Sequence, residues 1–272
     1  MNDRDRYIYS KLKEHYNEAL GLGHEVFCVV VQGSQNYNLD LYTDEYKSDI
    51  DTKAILLPSF DSFCKGHQPI STTHVRANNE HIDLKDMRIM FDTFKKQNVN
   101  FVEILFSDYF MLPGEYRDFW MEIRGLAEDL VHCHRAQTVK TMAGMSMEKL
   151  KALTHPYPKI VDKIEKYGYD GKQLHHIIRI NEFLKNYISG ISFKECLTMH
   201  SPRLLKMMQD AKLNKYSLAE AKELATEFDT NTNQIKCDFV EKHEQEFNPE
   251  PYRKLDNIKV EVLKEWFRKQ LV

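Results

Sequence analysis

The chain has 272 residues, enough for one large domain or two ordinary ones, and 42% of them are hydrophobic, which supports a buried core. It carries 38 basic and 41 acidic residues, a net charge of −3, which disfavours a protein that holds a long nucleic acid mainly through phosphate contacts. No apolar stretch approaches the length of a transmembrane helix, so we expect no contact with the membrane interior.

The N-terminal segment and the cysteines both favour a cytoplasmic location. The first sixteen residues are charged and lack the apolar centre of a secretion signal, so they predict an amphipathic helix. The five cysteines are scattered and include no Cys-x-x-Cys pair. We therefore expect free thiols in a reducing compartment.

Two predicted strands enclose a glycine-containing turn and a pair of aspartates. The apolar, β-branched run from Val26 to Val31 has the length of a strand and ends at Gly33-Ser34, where the backbone could closely approach a phosphate. Asp49 and Asp51 open the next strand, which continues from Thr52 to Leu57, and side chains two apart on a strand share a face about 6.6 to 7 Å apart. Two carboxylates so close repel each other unless a proton or cation lies between them. Because Mg²⁺ accepts carboxylates together with substrate phosphates, the pattern predicts a Mg²⁺–nucleotide site.

The next predicted elements are an extended stretch and a helix. Residues from Thr72 to Ile82 read as extended, and Leu84 begins a helical pattern of apolar residues. Between residues 108 and 125 the chain changes character, and long helices follow it. We predict them at Arg135 to Leu153, Gly171 to Tyr187, Pro202 to Ala211, Ser217 to His243 and Lys254 to Gln270.

These elements predict an α+β protein in two parts. Residues 1–120 would form a small domain with a mixed sheet, and residues 121–272 would form a mostly helical domain. In the helix that begins at Gly171, the side chains of Lys172, His176 and Arg179 lie at i, i+4 and i+7 and so share one face. From the spacing alone, this basic face would meet either water or a ligand cleft.

Five stretches of the chain together resemble the DNA polymerase beta-like nucleotidyltransferase superfamily, and within it a bacterial and phage branch of predicted nucleotidyltransferases. The superfamily has an apolar strand, Gly-Ser, a spacer of about a dozen residues and then Asp-x-Asp on the next strand. The branch adds further motifs downstream. The stretches that carry the resemblance are Gly33–Asn38, Lys47–Asp51, Ile82–Met87, Asn98–Leu105 and Tyr169–Arg179. Asn38 replaces a glycine of the branch, and asparagine tolerates the left-handed backbone conformation that glycine favours.

The resemblance implies three catalytic carboxylates. Asp49 and Asp51 would be two of them, and Asp83 is our choice for the third, with Glu80 as the competing candidate on the opposite side of the strand. A second interpretation of Asp83 is that it only caps the following helix. The three aspartates would hold two Mg²⁺ or Mn²⁺ ions together with a nucleoside triphosphate.

The resemblance also implies the nucleotide contacts. Backbone N–H groups around Gly33 and the hydroxyl of Ser34 would position the triphosphate, and Tyr37 would touch the base or ribose. The basic residues of the helical domain would close over the phosphates; they are Lys172, His176 and Arg179. Glu103 would either support the site or lie on a helix surface.

We therefore expect a metal-dependent nucleotidyltransferase that moves a nucleoside monophosphate, AMP from ATP, to a hydroxyl. The acceptor could be an RNA 3′ end, a protein hydroxyl or a small molecule, since all suit the same metal chemistry. Two alternatives are a nucleotide-binding regulatory module without turnover and an antitoxin-like partner that transfers AMP to protein.

Overall fold

A computed structural model describes residues 1–42, 47–158 and 160–271 of the chain. The predicted polar spacer before Asp49 therefore lies partly outside the described residues, at 43–46. The strands are β1 (Val26–Gln32), β2 (Asp51–Leu56), β3 (Ser71–Val75), β4 (His81–Asp86) and β5 (Phe110–Met111). The α-helices are α1 (Asp3–Gly21), α2 (Phe60–Cys64), α3 (Met87–Lys95), α4 (Val99–Val102), α5 (Arg117–Gly125), α6 (Ala127–His132), α7 (Arg135–Ala152), α8 (Val161–Tyr167), α9 (Gly171–Ile188), α10 (Phe193–Leu197), α11 (Pro202–Lys212), α12 (Leu218–His243) and α13 (Glu250–Gln270). Short 3₁₀ helices cover Ser34–Tyr37, Glu103–Phe106 and Gly114–Tyr116.

The described part of the chain divides into two compact units. The first contains Met1–Cys133 together with the chain from Asn248 onward, and the second contains His134–Phe247. This division differs from the single boundary at 120/121 predicted from the sequence. The reason is that α5 and α6 stay with the sheet and α13 returns to it, as the hydrogen bond from Trp266 Nε1 to the carbonyl of Pro58 at 2.7 Å illustrates.

The first unit is built on a mixed five-stranded sheet of order β3-β4-β2-β1-β5. β2 and β4 run parallel, and the other neighbours are antiparallel. Helix α1 covers one face because its apolar side chains recur at helical spacing and pack against alternate residues of the strands. The core on this face contains Ile8, Leu12, Ala19, Val29, Val31, Ala54, Leu56, Ile82 and Leu84. Alternation leaves Asp51, Lys53 and Asp83 on the other face.

The segment around β4 corrects two sequence predictions. The extended stretch is two strands, joined by a turn in which Asn79 takes the left-handed conformation at φ 66°. The helix begins at Met87 rather than Leu84, and its N-cap is Asp86, whose side chain accepts from the N–H of Arg88. Asp83 therefore does not cap the helix. Polar and buried side chains alternate along His81–Asp86, which is the period of a strand.

All the secondary-structure elements described in the second unit are helices. Helices α7, α9 and α12 pack together through polar as well as apolar contacts: Ser146 donates to Asp229 at 2.6 Å, and Asn181 donates to Thr232 at 3.0 Å. The predicted α+β class is confirmed. None of the described helices combines the length and apolarity needed to cross a membrane.

Candidate functional site

The turn after β1 has a backbone that its sequence explains. Gly33 takes φ 88° and ψ −147°, a conformation that disfavours residues with a Cβ. The 3₁₀ helix that follows ends at Asn38, which takes φ 55° and ψ 35°. The expectation that Asn38 adopts the left-handed conformation in place of glycine is confirmed. The turn therefore has a fixed shape that depends on these two residues.

Side chains from two other parts of the first unit hold this turn in place. The N–H of Gly33 donates to Oε1 of Glu103 at 3.1 Å, and Glu103 is buried. Arg4 of α1 donates to both carboxylate oxygens of Asp40 at 2.7 Å and to the carbonyl of Gln35 at 2.9 Å. Glu103 thus holds the Gly33 turn and does not lie on an exposed helix surface. The N–H of Gly33, which was predicted to contact a phosphate, therefore already has the carboxylate of Glu103 as its acceptor.

The predicted aspartate pair lies where β2 begins. β2 starts at Asp51, so Asp49 precedes the strand and the regular alternation of a strand does not fix its direction. The carbonyl of Asp49 accepts from Gln35 Nε2 at 2.8 Å, which joins it to the turn after β1. Asp51 pairs across the sheet with Gln32, the residue before Gly33. The two residues therefore lie beside the Gly33–Asn38 turn, Asp49 exposed and Asp51 partly buried.

Asp51 also contacts the start of β4. Its Oδ1 atom accepts from the backbone N–H of His81 at 2.8 Å and lies 3.2 Å from Nδ1 of the same residue. Both described contacts fall on one oxygen of the carboxylate. These contacts orient Asp51 on the side of the sheet away from α1.

Asp83 lies in the middle of β4 and pairs with a lysine. The strand register places Asp83 opposite Lys53, and Nζ of Lys53 lies 2.9 Å from Oδ2 of Asp83. The hydroxyl of Thr73 donates to the other oxygen at 2.6 Å. Burial opposes ionisation of Asp83, but the charge of Lys53 and these hydrogen bonds lower the pKa of Asp83 overall. Asp83 is therefore held as a carboxylate by cationic and hydroxyl donors.

Lys53 was not among the residues predicted from the sequence. Its side chain is 3% exposed, and its Nζ lies 4.0 Å from the centre of the Phe101 ring. Burial lowers the pKa of Lys53, and the attraction of Asp83 opposes this effect. The sequence does contain one signal for Lys53. Lys53 follows Asp51 by two residues, so on a strand the two side chains share a face. The stretch Asn98–Leu105 supplies both Phe101 and Glu103, so its contribution in this unit is to cover Lys53 and to hold Gly33.

Glu80, the competing third carboxylate, lies on the α1 side of the sheet. Its Oε2 atom is 3.1 Å from Nε2 of His15, and the other ring nitrogen of His15 is 2.9 Å from the hydroxyl of Thr52. Thr52 faces away from Lys53 because the two are neighbours on one strand. The structure thus brings Asp51 and Asp83 to one face and places Glu80 on the other.

Tyr37 lies in the core. It is 3% exposed, so its ring has almost no accessible surface for a base or ribose. Its predicted contact with the nucleotide stays a prediction that this burial does not favour. Ser34, by contrast, is partly exposed at the start of the 3₁₀ helix.

The remaining predicted residues all belong to the second unit. Asp170 caps α9 by accepting from the N–H of Lys172 at 3.1 Å, and Lys172 itself is exposed. His176 is partly buried on the same helix, and Arg179 is only 6% exposed. The N–H of Asp170 donates to the carbonyl of Leu153 at 2.8 Å, which joins the start of α9 to the chain just after α7.

Positive charge is concentrated around this helix. Burial lowers the pKa of Lys149 in α7, and the nearby charges of Lys172 and Arg179 add to the effect. Burial, followed by the neighbouring His175, lowers the pKa of His176 well below its ordinary value, so its ring is neutral near pH 7. Lys149, Lys172 and Arg179 therefore lie close enough for their charges to influence one another.

The carboxylates can be compared with the needs of a divalent cation. Mg²⁺ and Mn²⁺ prefer oxygen donors, and Asp49 and Asp51 supply carboxylates at a partly open position. Asp83 differs, because both of its oxygens already accept from donors. Among the described residues, no three His, Cys, Asp or Glu side chains converge closely enough to hold a metal ion. Of the aspartates on this face, Asp83 is therefore the one that would have to give up existing donors to take a metal ion.

Neither a protein-family model nor a curated protein matches this chain.

Proposed function

We propose that the chain is a metal-dependent nucleotidyltransferase that transfers a nucleoside monophosphate, AMP from ATP, to a hydroxyl acceptor. The observation that supports this function best is the register of the sheet in the first unit. Gln32 pairs with Asp51 and Lys53 pairs with Asp83, so Asp51 and Asp83 lie on one face of the sheet, and Asp51 lies next to the Gly33–Asn38 turn. This grouping goes beyond the sequence motif, because strand order and register are not contained in the spacing of the residues.

Each group in the site has a proposed role. Asp49 and Asp51 would hold Mg²⁺ or Mn²⁺, which when bound stabilises the attacking and leaving oxygens of an in-line displacement. The partly exposed Ser34 would contact the triphosphate, since its backbone is fixed by the turn. We retain Lys172, His176 and Arg179 as proposed phosphate contacts, in which a neutral His176 acts as a hydrogen-bond donor rather than a charge.

The acceptor is a hydroxyl on RNA, on protein or on a small molecule. Nucleotidyl transfer forms a bond between the acceptor oxygen and the α-phosphorus and breaks the bond from that phosphorus to the β-phosphate oxygen, so pyrophosphate leaves. The acceptor loses its hydroxyl proton in the same reaction. Charge grows on the pyrophosphate oxygens as they leave, which is where cationic contacts have their largest effect on rate.

The test is pyrophosphate release from each NTP with Mg²⁺ and fractionated cell extract, followed by mass spectrometry of RNA, protein and small-molecule fractions. We expect one fraction to gain the mass of a nucleoside monophosphate together with stoichiometric pyrophosphate. Asp51→Asn should remove both signals, whereas Asp61→Asn should not, because Asp61 is an exposed residue paired with Lys65. Nucleotide binding without pyrophosphate in any fraction would instead identify a regulatory module.

A further inference from the structure

We propose that Lys53 is a fixed cation of the carboxylate cluster, so that the site takes one divalent ion, on Asp49 and Asp51, in place of two. This inference rests on the proposed function, because it concerns the metal of that same site. In it, Asp83 pairs with Lys53 and is not a metal ligand. The role of Lys53 is then to neutralise charge on this face of the sheet.

The first support is the burial of Lys53. Lysine is almost never fully buried unless it is paired, and Lys53 is 3% exposed within a central strand. Its ammonium has two partners, the carboxylate of Asp83 at 2.9 Å and the face of Phe101 at 4.0 Å. Both partners favour the charged form. The position of the ammonium is thus set by the fold and not by the chance orientation of a surface side chain.

The second support is that Asp83 already has donors on both oxygens. Lys53 donates to Oδ2 and Thr73 donates to Oδ1, both across backbone-paired strands. A divalent ion on Asp83 would have to displace at least one of these donors. It would also lie close to an ammonium, and two like charges at short distance repel strongly where water is scarce. Lys53 has little freedom to withdraw because Phe101 covers it.

The third support is the charge balance of the face. Asp51 and Lys53 are two apart on β2 and Asp83 is the strand partner of Lys53, so the ammonium shares a face with both carboxylates, contacts Asp83 and is attracted by the charge of Asp51. In a two-metal site, a second divalent ion neutralises the charge of the carboxylates; here the ammonium of Lys53 has that function. A lysine supplies it permanently and without needing an ion from solution.

The test is a titration of the full-length chain with Mn²⁺ alone, followed by electron paramagnetic resonance to count bound ions. We expect one bound ion per chain in the wild type. Asp51→Asn should weaken its binding by about a hundredfold or more, whereas Asp83→Asn should weaken it much less, because of these two residues only Asp51 is a proposed ligand. Two bound ions in the wild type, or equal losses in the two variants, would overturn the inference and leave the proposed metal site standing.

A second pair of variants separates charge from folding. Lys53→Met removes the ammonium and keeps a side chain of similar length, so Asp83 should become able to take a second Mn²⁺ ion. The double variant Lys53→Met with Asp83→Asn removes both charges of the pair and should return the count to one. An unchanged count in a folded Lys53→Met, judged by circular dichroism, would contradict the role of Lys53. Mn²⁺ binding that is absent, or insensitive to Asp51→Asn, would overturn both this inference and the proposed function.

Discussion

Glu80 is almost fully buried, and its Oε2 atom accepts hydrogen bonds from three side chains. The donors are His15 at 3.1 Å, Arg76 at 2.7 Å and Asn78 at 2.6 Å. Burial alone would raise the pKa of Glu80, but the hydrogen bonds from His15 and Asn78 lower it to about 2. This carboxylate therefore ties α1 to the sheet and contributes to stability instead of binding a metal.

Replacing Glu80 by Gln should remove a pH-dependent part of the stability. Because the pKa is lower in the folded state than the ordinary 4.5, the stabilisation is complete above pH 4.5 and is lost as the pH falls towards 2. It amounts to about 3 kcal/mol when complete. Urea unfolding from pH 7 to pH 3 should show Glu80→Gln less stable at neutral pH, with the gap from the wild type closing in acid. A gap that is constant with pH would contradict the assignment.

The backbone conformation of a single residue can be predicted from the sequence where the residue type dictates it. Asn38 could be predicted to adopt the left-handed conformation because few other residues tolerate it. The pairing of Lys53 with Asp83 could not be predicted, since it depends on β2 and β4 being parallel neighbours in one particular register. A shift of one residue would send Asp83 to the α1 side.

At the scale of elements, the close contact between α9 and α11 explains why residue 171, at the start of α9, is a glycine. A Cβ on Gly171 would lie 1.8 Å from the carbonyl oxygen of Ala211, so only glycine allows this approach. The N–H of Gly171 donates to Oδ1 of Asn214 at 2.9 Å, and Nδ1 of His175 lies 3.3 Å from the carbonyl of Met208. Burial lowers the pKa of His175 to about 3, so this histidine is a neutral structural group.

Gly171→Ala should therefore destabilise the second unit. A side chain forced against backbone typically costs about 1 to 3 kcal/mol. The matched control is Gly144→Ala in α7, where a Cβ meets nothing within 4 Å and the change should stabilise the helix by roughly 0.5 to 1 kcal/mol. Denaturant unfolding and hydrogen exchange of α9 amides would measure both. Effects of the same sign in the two variants would contradict the close packing.

Most helices of the second half could be predicted to within a few residues. Their ends carry local signals, such as the capping box of Ser217 with Glu220 and the cap of Ser201 before Pro202. The hairpin of β3 and β4 was missed because its turn uses Asn79 rather than glycine or proline. The apolar residue Leu84 of β4 also fits the helical pattern that follows, although Asp86 carries the cap signal.

At the scale of the whole molecule, the division into units depends on where the last helix packs. α13 belongs to the first unit, where Lys95 contacts Asp256 at 2.9 Å. The period of apolar residues shows that a helix has an apolar face but not which surface that face will cover. The packing of α13 on the first unit could therefore not be predicted from periodicity. The presence of a sheet-containing part and a helical part was predictable because the period of hydrophobic residues changes along the chain.

The proposed phosphate contacts of the second unit can be tested by binding alone. Lys172→Ala should weaken ATP binding while leaving AMP binding almost unchanged, because the lost contact is to the β- and γ-phosphates. A charge-assisted contact of about 1.5 to 3 kcal/mol corresponds to roughly ten- to a hundredfold in Kd. The control is Lys206→Ala, which removes an exposed lysine of α11 paired with Asp210. Calorimetric titrations that show equal effects on ATP and AMP would contradict the assignment.

The most direct measurement of the proposed function follows the two ends of the triphosphate separately. ATP labelled with ³²P at the α position and ATP labelled at the γ position would each be incubated with the chain, Mg²⁺ and the active extract fraction. We predict that the α label enters the acceptor and the γ label leaves as pyrophosphate, and that Asp51→Asn abolishes both. Transfer of the γ label, or undiminished transfer of the α label by the Asp51→Asn chain, would contradict nucleotidyl transfer at this site.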